Sequence, residues 1–217
     1  INGIEEADLI LLIGSNPRYE ATILNARIRK AYLQNKIKII SLNDVGNLTY
    51  PYEALNGDIE NIKDIVENKH EISNLIKEAK KPLIIFGQSA LRSNSAKYIF
   101  ESMKMFLNKN NKISNEWNSL NVISENASSV GSYDLGIYKS KDGSNEILED
   151  LEKNKFEIIY LLGQDSLKFK KKNEFIIYQG SHGDNGAEMA DIILPGAAYT
   201  EQNGYFTNLE GKLQKAY

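Results

Sequence analysis

Residues 190–211 read A-D-I-I-L-P-G-A-A-Y-T-E-Q-N-G-Y-F-T-N-L-E-G. The apolar run Ile192, Ile193, Leu194 stops at Pro195-Gly196. Proline has no N–H to give to a sheet ladder, so a strand here must end or lie at an edge. Two alanines, Thr200 and Glu201 follow, and then Asn203-Gly204, a pair that favours a turn with positive φ. Tyr205 to Asn208 form a second β-prone run, closed by Glu210-Gly211. The stretch predicts a buried strand followed by an ordered polar loop at its carboxyl end. In open α/β sheets, ligands and partners sit at that edge. The competing reading is a strand and loop that carry no chemistry.

Upstream the same format recurs. Residues 7–14 (A-D-L-I-L-L-I-G) are a continuous apolar run ended by glycine, too short for a buried helix. They read as a strand buried on both faces of a parallel sheet. Gly14-Ser15-Asn16-Pro17 is a turn, and Asn16 is pushed from helical geometry by the proline after it. Over residues 20–34, Ala21, Leu24, Ile28, Ala31 and Tyr32 recur at helical spacing. Residues 36–42 (K-I-K-I-I-S-L) form the second strand of a strand–helix–strand unit with a right-handed crossover.

Residues 43–56 read as irregular, 58–69 and 71–80 as helices, and 83–87 (L-I-I-F-G) as a third buried strand. Residues 95–108 are helical, with Tyr98, Ile99, Met103, Phe106 and Leu107 on one side. Residues 113–130 hold the sole tryptophan, Trp117, and are expected to be a helix running into a turn at Val130-Gly131-Ser132. Residues 134–144, glycine-containing and polar, are the candidate linker. Next come a short acidic helix over 146–155 and strands at 156–163 (F-E-I-I-Y-L-L-G) and 174–180 (E-F-I-I-Y-Q-G). The strand at 190–196 is the last of six. Three strands thus end in a glycine and a polar turn, at Gly14, Gly87 and Gly163. That is the general format of a dinucleotide-type half-fold. The fold class expected is α/β, in two related lobes over residues 1–134 and 143–217.

Composition narrows the chemistry. The 217 residues carry a net charge of −3, with no basic arm, so nucleic acid is not an expected partner. The one basic run, Lys168 to Lys172 around Phe169, reads as a solvated turn between two strands. There is no cysteine, which removes disulfides, a thiol nucleophile and cysteine ligation of zinc or iron–sulfur clusters within these residues. The two histidines, His70 and His182, lie far apart in sequence, so a metal site built on several imidazoles is excluded. No apolar segment approaches the roughly 20 residues of a membrane helix, so direct membrane insertion is not expected. The abrupt first and last residues suggest a piece of a longer chain.

The turns offer weak nucleotide signals. Gly14, Ser15 and Asn16 could present N–H groups to a phosphate at a helix N-terminus. Gly87-Gln88-Ser89 and Gly163-Gln164-Asp165 are comparable, yet neither G-x-G-x-x-G nor G-x-x-x-x-G-K-[ST] occurs. Glu20 and Arg18 could meet polar ligand atoms, although loop charges are usually solvated. Ser181-His182-Gly183-Asp184 is a local run of letters, not a triad. No catalytic residue is assigned.

Taken together, these stretches resemble one family. Residues 190–211 are similar to the A-D-V-V-L-P-A…E…G-T-F-T-N…E-G-R motif of molybdopterin oxidoreductases, and residues 7–17 to their A-D-x-x-x-x-x-G-x-N-P. More narrowly, residues 4–21 (I-E-E-A-D-L-I-L-L-I-G-S-N-P-R-Y-E-A), 25–30 (N-A-R-I-R-K) and 178–201 (Y-Q-G-S-H-G-D-N-G-A-E-M-A-D-I-I-L-P-G-A-A-Y-T-E) resemble the large iron–sulfur subunits of NADH–quinone oxidoreductases, the mitochondrial 75 kDa type of respiratory complex I and its bacterial counterparts.

The resemblance implies a three-layer α/β/α fold with parallel sheets, in two Rossmann-like lobes of the formate dehydrogenase/DMSO reductase type. It implies that the [2Fe–2S] and [4Fe–4S] clusters of the parent subunit are held by residues outside these 217. It implies a domain that has lost its guanine dinucleotide cofactor. Gly14, Ser15, Asn16, Gly163, Glu201 and Asn208 are then vestigial cofactor contacts, not expected to be occupied. The implied partners are the subunit's own iron–sulfur domain and other peripheral-arm subunits. The implied location is the cytoplasmic face of a bacterial inner membrane, within a membrane-bound complex. In the active enzymes A-A-x-W stands where Gly196-Ala197-Ala198-Tyr199 stands here, and Arg often stands at the position of Lys212. The alternative is the cofactor-binding lobe of a working molybdopterin-dinucleotide oxidoreductase. A third reading, an unrelated nucleotide-binding domain, rests on the Gly14 and Gly163 turns.

Overall fold

Leucine and isoleucine fill all five positions of β1 (Leu9–Ile13), and all five are buried. Burial on both faces is the signature of a central parallel strand. After β1 the chain turns through α1 (Pro17–Glu20) and α2 (Thr22–Asn35) into β2 (Lys38–Ser41) and the two-residue β3 (Glu53–Ala54). It continues through α3 (Ile59–Val66), α4 (Glu71–Glu78), β4 (Pro82–Phe86), α5 (Gln88–Leu91) and α6 (Ala96–Lys109) to β5 (Leu120–Val122). These five strands form one parallel sheet in the order β3-β2-β1-β4-β5.

That order reverses direction at β1. Right-handed crossovers therefore place α2 on one face and α3, α4 and α6 on the other. Leu9, Leu11 and Ile13 join the cluster with Ile62 and Ile65 of α3, Ile72 and Ile76 of α4, and Ile99, Met103 and Phe106 of α6. Ile10 and Leu12 alternate onto the opposite face and are also wholly buried. Each such side chain contributes about 1.5–3 kcal/mol relative to exposure. This is the expected three-layer arrangement.

The computed structural model describes residues 3–124, 126, 129–137 and 144–217. The chain divides into two compact units, Ile1–Ala127 and Ser128–Tyr217. Of the expected linker, residues 138–143 lie outside the described residues. The second unit holds α7 (Ser129–Asp134), α8 (Ser144–Glu152), β6 (Ile158–Leu162), β7 (Phe175–Gly180), α9 (Asn185–Met189), β8 (Ile192–Pro195), β9 (Gly204–Thr207) and β10 (Leu213–Ala216). Its parallel sheet has the order β6-β7-β8, and β9 and β10 form a separate antiparallel hairpin. A small core of Leu161, Ile176 and Tyr178 is packed by Leu167 and Phe169 of the β6–β7 connection and by Ala187 and Met189 of α9. The basic run thus lies in a connection between two strands, as expected, although Lys171 bonds to Met189 O at 3.0 Å and Lys172 to Glu152 O at 3.0 Å.

The α/β class and the parallel sheets hold, but five local expectations fail. Residues 113–124 are not a helix. Ser114 Oγ accepts from Trp117 N at 3.1 Å, Trp117 Nε1 donates to Pro82 O at 2.9 Å, and Ser119 O accepts from Ile84 N at 2.7 Å. These bonds divert the chain into an extended segment ending in edge strand β5. Val130, Gly131 and Ser132 lie inside α7 and form no turn. Neither Asn203 nor Gly204 adopts positive φ, and the hairpin turn lies later, at Asn208 to Gly211, with Gly211 at φ 79°. Finally, β8, an edge strand with one neighbour, is exposed at every position. It is also not the last strand, since β9 and β10 follow.

Candidate functional site

In a sheet that reverses at β1, the crevice between the carboxyl ends of β1 and β4 is the place where nucleotides bind. Those ends are Gly14 and Gly87. Gly14 has φ 57°, a conformation glycine adopts without penalty. Gly87 N donates to Ile13 O at 3.0 Å, and Ser89 Oγ to Gly14 O at 2.7 Å. A Cβ added to Gly87 would lie 2.2 Å from Gly14 O and 2.5 Å from Ser15 Cα. One added to Gly14 would lie 2.5 Å from Ala90 N. The missing side chains therefore let the two turns close on one another.

Four amides at the start of α1 are also taken. Asn16 Oδ1 accepts from Arg18 N at 3.2 Å, and Glu20 Oε1 from Asn16 N at 2.8 Å. This reciprocal pair satisfies the start of α1 in the manner of a capping box. Tyr19 N and Glu20 N bond to Asn16 O at 3.1 and 3.0 Å. Asn16 Nδ2 donates to Val45 O at 3.0 Å and Arg18 Nη1 to Asn47 O at 2.6 Å. Two buried oxygens, Ser15 Oγ and Glu20 Oε2, have no partner among the described residues.

Beside this contact lies a cleft of about 240 Å³. Ile13, Ile62 and Ile99 of the core form its floor, and Gly14, Asn43, Gly57, Ser89, Ser93 and Ser95 give it polar edges. No lysine or arginine lines it. Its volume falls below the roughly 300–1,000 Å³ of ordinary ligand pockets. A hydroxyl and amide rim can bind a small neutral polar molecule, but it lacks the cation that a pyrophosphate demands. Sequence reasoning did not single out Asn43, Gly57, Ser93 or Ser95. Asn43 and Gly57 meet because glycine leaves room: a Cβ there would overlap Asn43 Oδ1. No local pattern announces that approach.

The N-A-R-I-R-K stretch has structural duties. Asn25 Nδ2 donates to Leu48 O at 3.0 Å, and Asn25 Oδ1 accepts from Tyr50 Oη at 2.8 Å, all buried. Burial pushes the Tyr50 hydroxyl pKa upward. Arg27 grips Glu5 with both ends of its fork, at 2.5 and 2.6 Å, and Lys30 stands 3.5 Å away. Hydrogen bonding from Arg27 holds the Glu5 carboxyl at about 2, against the opposing pull of desolvation. Arg29 Nε reaches Thr49 O at 3.2 Å. Helix α2 is thereby tied to the segment before β1 and to residues 48–50.

In the second unit, Gly163 sits at the carboxyl end of β6 with φ 62°, its N bonded to Gln179 O at 2.7 Å, and open space where a Cβ would stand. Glu201 closes its own turn, accepting from Ala198 N at 2.9 Å. Asn208 organises the β9–β10 hairpin, its Oδ1 accepting from Glu210 N at 3.1 Å and Lys212 N at 2.8 Å. The first three candidates thus meet at one turn, whereas Glu201 and Asn208 each serve a local loop. His70 caps α4, its Nδ1 accepting from Ile72 N at 3.2 Å, and His182 is exposed beside Ser181. Among the described residues no cluster of three or more histidine, cysteine or acidic side chains could hold a metal ion. No helix among them is long and apolar enough to cross a membrane.

Comparison with known proteins agrees with this architecture. The chain is 43% identical over 212 residues to the NADH-ubiquinone oxidoreductase 75 kDa subunit of Reclinomonas americana, covering 97% of this chain and 30% of that protein. It is 41% identical over 217 residues to an NADH-quinone oxidoreductase subunit of Rickettsia bellii, covering 100% of this chain and 30% of that bacterial protein. The mitochondrial NADH-ubiquinone oxidoreductase 78 kDa subunit of Candida albicans is 41% identical over 217 residues, covering 99% of this chain and 29% of that protein. The chain thus spans about 30% of the length of these relatives. The family model for molybdopterin oxidoreductases matches residues 1–217. Switch-point sheet, glycine turns and full-length match agree, and the chain belongs to the molybdopterin oxidoreductase family.

Proposed function

We propose that these residues form a non-catalytic structural body of the large iron–sulfur subunit of an NADH–quinone oxidoreductase. In this reading they carry no redox centre. They support electron transfer from NADH to quinone by docking against the subunit's own cluster-bearing domain and against neighbouring peripheral-arm subunits. The [2Fe–2S] and [4Fe–4S] clusters lie in residues outside these 217. The assembly sits at the membrane face where NADH is oxidised, the cytoplasmic face in a bacterium. Tunnelling between clusters requires fixed spacing, and a close-packed α/β body resists deformation.

One observation carries the proposal: at the β1–β4 crevice the two glycine turns pack on one another and the start of α1 is capped by the chain itself. Gly14 and Gly87 abut, the α1 amides are bonded within the chain, and the adjoining cleft has no cation. In this unit the residues do not fit a guanine dinucleotide. The absence of cysteine accords with the proposal. The alternative, a working cofactor lobe, draws on the open Gly163 turn alone.

Elemental and pterin analysis of the complete purified enzyme separates the two. The expected result is iron without stoichiometric molybdenum or pterin, NADH–quinone turnover by the whole complex, and none by the 217 residues alone. Stoichiometric molybdenum or bound pterin would overturn the proposal.

A further inference from the structure

The second unit's parallel sheet is covered on one face only. Both connections, β6 to β7 and β7 to β8, step in the same direction, so right-handed crossovers put both on the same face. That is the face of Leu161, Ile176 and Tyr178, packed by Phe169 and Met189, with Ile193 of the edge strand left exposed on it. The parallel register brings Ile158, Phe175, Tyr160, Leu162, Ile192 and Leu194 onto the other face. All six are exposed, Ile158 at 65% and Leu162 at 74%, while Ile177 and Gln179 of the central strand are half-buried between them. Among the described residues no element of this unit covers them, and α8 leaves its own Ile147 and Leu148 exposed. Parallel sheets are found with both faces covered.

We infer that this face is the seat of a further segment of the same polypeptide, lying outside residues 1–217, that packs an apolar helix face across β6, β7 and β8. Three observations select that occupant. The curated relatives extend far beyond the matched region, which is only 29–30% of their length, so ample chain is available. The first unit covers both faces of its own sheet with its own helices, and so shows how this fold completes itself: a reversal of strand order carries helices to the second face. The third is area. Three strands about 4.8 Å apart and five residues at about 3.3 Å give a footprint of roughly 14 by 16 Å. A stable dimer needs about 800 Å² from each partner, so this face is too small to hold a second copy unaided. A tethered segment loses less translational freedom and is held by a smaller patch. The inference does not depend on whether the domain binds a cofactor.

The test places a photo-crosslinking benzophenone amino acid at Leu162, and separately at Ile192, in the full-length subunit within the purified complex. After irradiation and digestion, the expected crosslinked peptides come from the same polypeptide outside residues 1–217. Peptides from another subunit, from a second copy or from within residues 1–217 overturn the inference, as does the absence of any crosslink. Because the probe is bulky, Leu162→Cys is a second readout. Its alkylation in the native full-length subunit is expected to be at least roughly tenfold slower than in the unfolded chain. Equal rates overturn the inference as well.

Discussion

Replacing Gly87 by alanine tests whether the switch-point crevice is closed by the chain itself. The added Cβ would stand 2.2 Å from Gly14 O, 2.5 Å from Ser15 Cα and 2.7 Å from Ser15 Cβ. Two of these neighbours are backbone atoms at the end of β1, which β2 and β4 fix on either side. Rotamer changes cannot relieve the clash, so the two turns must separate by more than an ångström. That separation breaks the Gly87 N to Ile13 O bond and the Ser89 Oγ to Gly14 O bond. Each is worth about 1 kcal/mol net. Forced overpacking adds about 1–3 kcal/mol, for a total of roughly 3–5 kcal/mol. In a unit of this size, about 4 °C accompanies each kcal/mol, so the midpoint falls by roughly 10–20 °C. Fluorescence of Trp117, the only tryptophan, reports unfolding of this unit specifically. Gly46→Ala is the control: its φ is 74°, with nothing within 4 Å of the new Cβ, so only backbone strain of about 1–2 kcal/mol is expected. If Gly87→Ala melts within a degree or two of the parent chain, the two turns are separable and the crevice is available to a ligand.

Three further outcomes are expected. The Glu5 carboxyl titrates near 2, below the ordinary 4.5, so its pairing with Arg27 stabilises fully above about pH 5 and is lost as pH falls toward 2. With Arg27 36% exposed, the contribution is discounted to about 1 kcal/mol. Unfolding free energies from urea titration of Glu5→Gln and the parent should differ by that much at pH 7 and converge near pH 2, and a gap that persists in acid refutes the assignment. Asn25→Ala strands the Tyr50 hydroxyl and Leu48 O in the interior at a cost of about 2–3 kcal/mol. Adding Tyr50→Phe should recover part of that loss in a double-mutant cycle, and strict additivity would show that the bond is not made. Leu162→Lys should reduce concentration-dependent light scattering by the 217-residue chain, because it interrupts an exposed apolar sheet face, and unchanged scattering would mean that the face is not adhesive.

The first unit was legible because its signals are local. Runs such as 9–13 and 83–86 are apolar throughout, which only a strand covered on both faces tolerates. The spacing of Ile99, Met103, Phe106 and Leu107 marks a helix from any context, and all four are buried. Where side chains compete for the backbone, the periodic signal misled. Ser114 and Trp117 satisfy groups that a helix over 113–130 would have used. Asn203-Gly204 favoured a turn with positive φ, but Asn208 takes two amides and the turn forms there. The closure of the switch point was out of reach for another reason. It depends on Glu20 folding back onto Asn16, and on the approach of Gly14 and Gly87, residues from different strands.

The strand at 192–195 is instructive in a different way. Its composition, three aliphatic residues and a proline, is that of a buried element, yet every position is exposed. Composition records the surroundings in which a sequence has to be stable, whereas exposure records only the residues present. An aliphatic edge strand left permanently in water invites pairing with any other open edge, and natural sheets blunt such edges with charge, bulges or brevity. β8 has Pro195 at its end, but no charge between Ile192 and Leu194. Its neighbours on the same face, Ile158, Tyr160, Leu162 and Phe175, also lack charge. If the protein left this surface in water, the physics of edge strands predicts lysine or glutamate at two or more of these positions. Their absence is therefore a sequence-level trace of a covering element, independent of the topological reasoning about crossovers. The two lines can be separated experimentally. A charged residue at Leu162 should be tolerated by the 217-residue chain on its own but should impair assembly of the full-length subunit. Equal tolerance in both would show that the uncharged face has no occupant to lose.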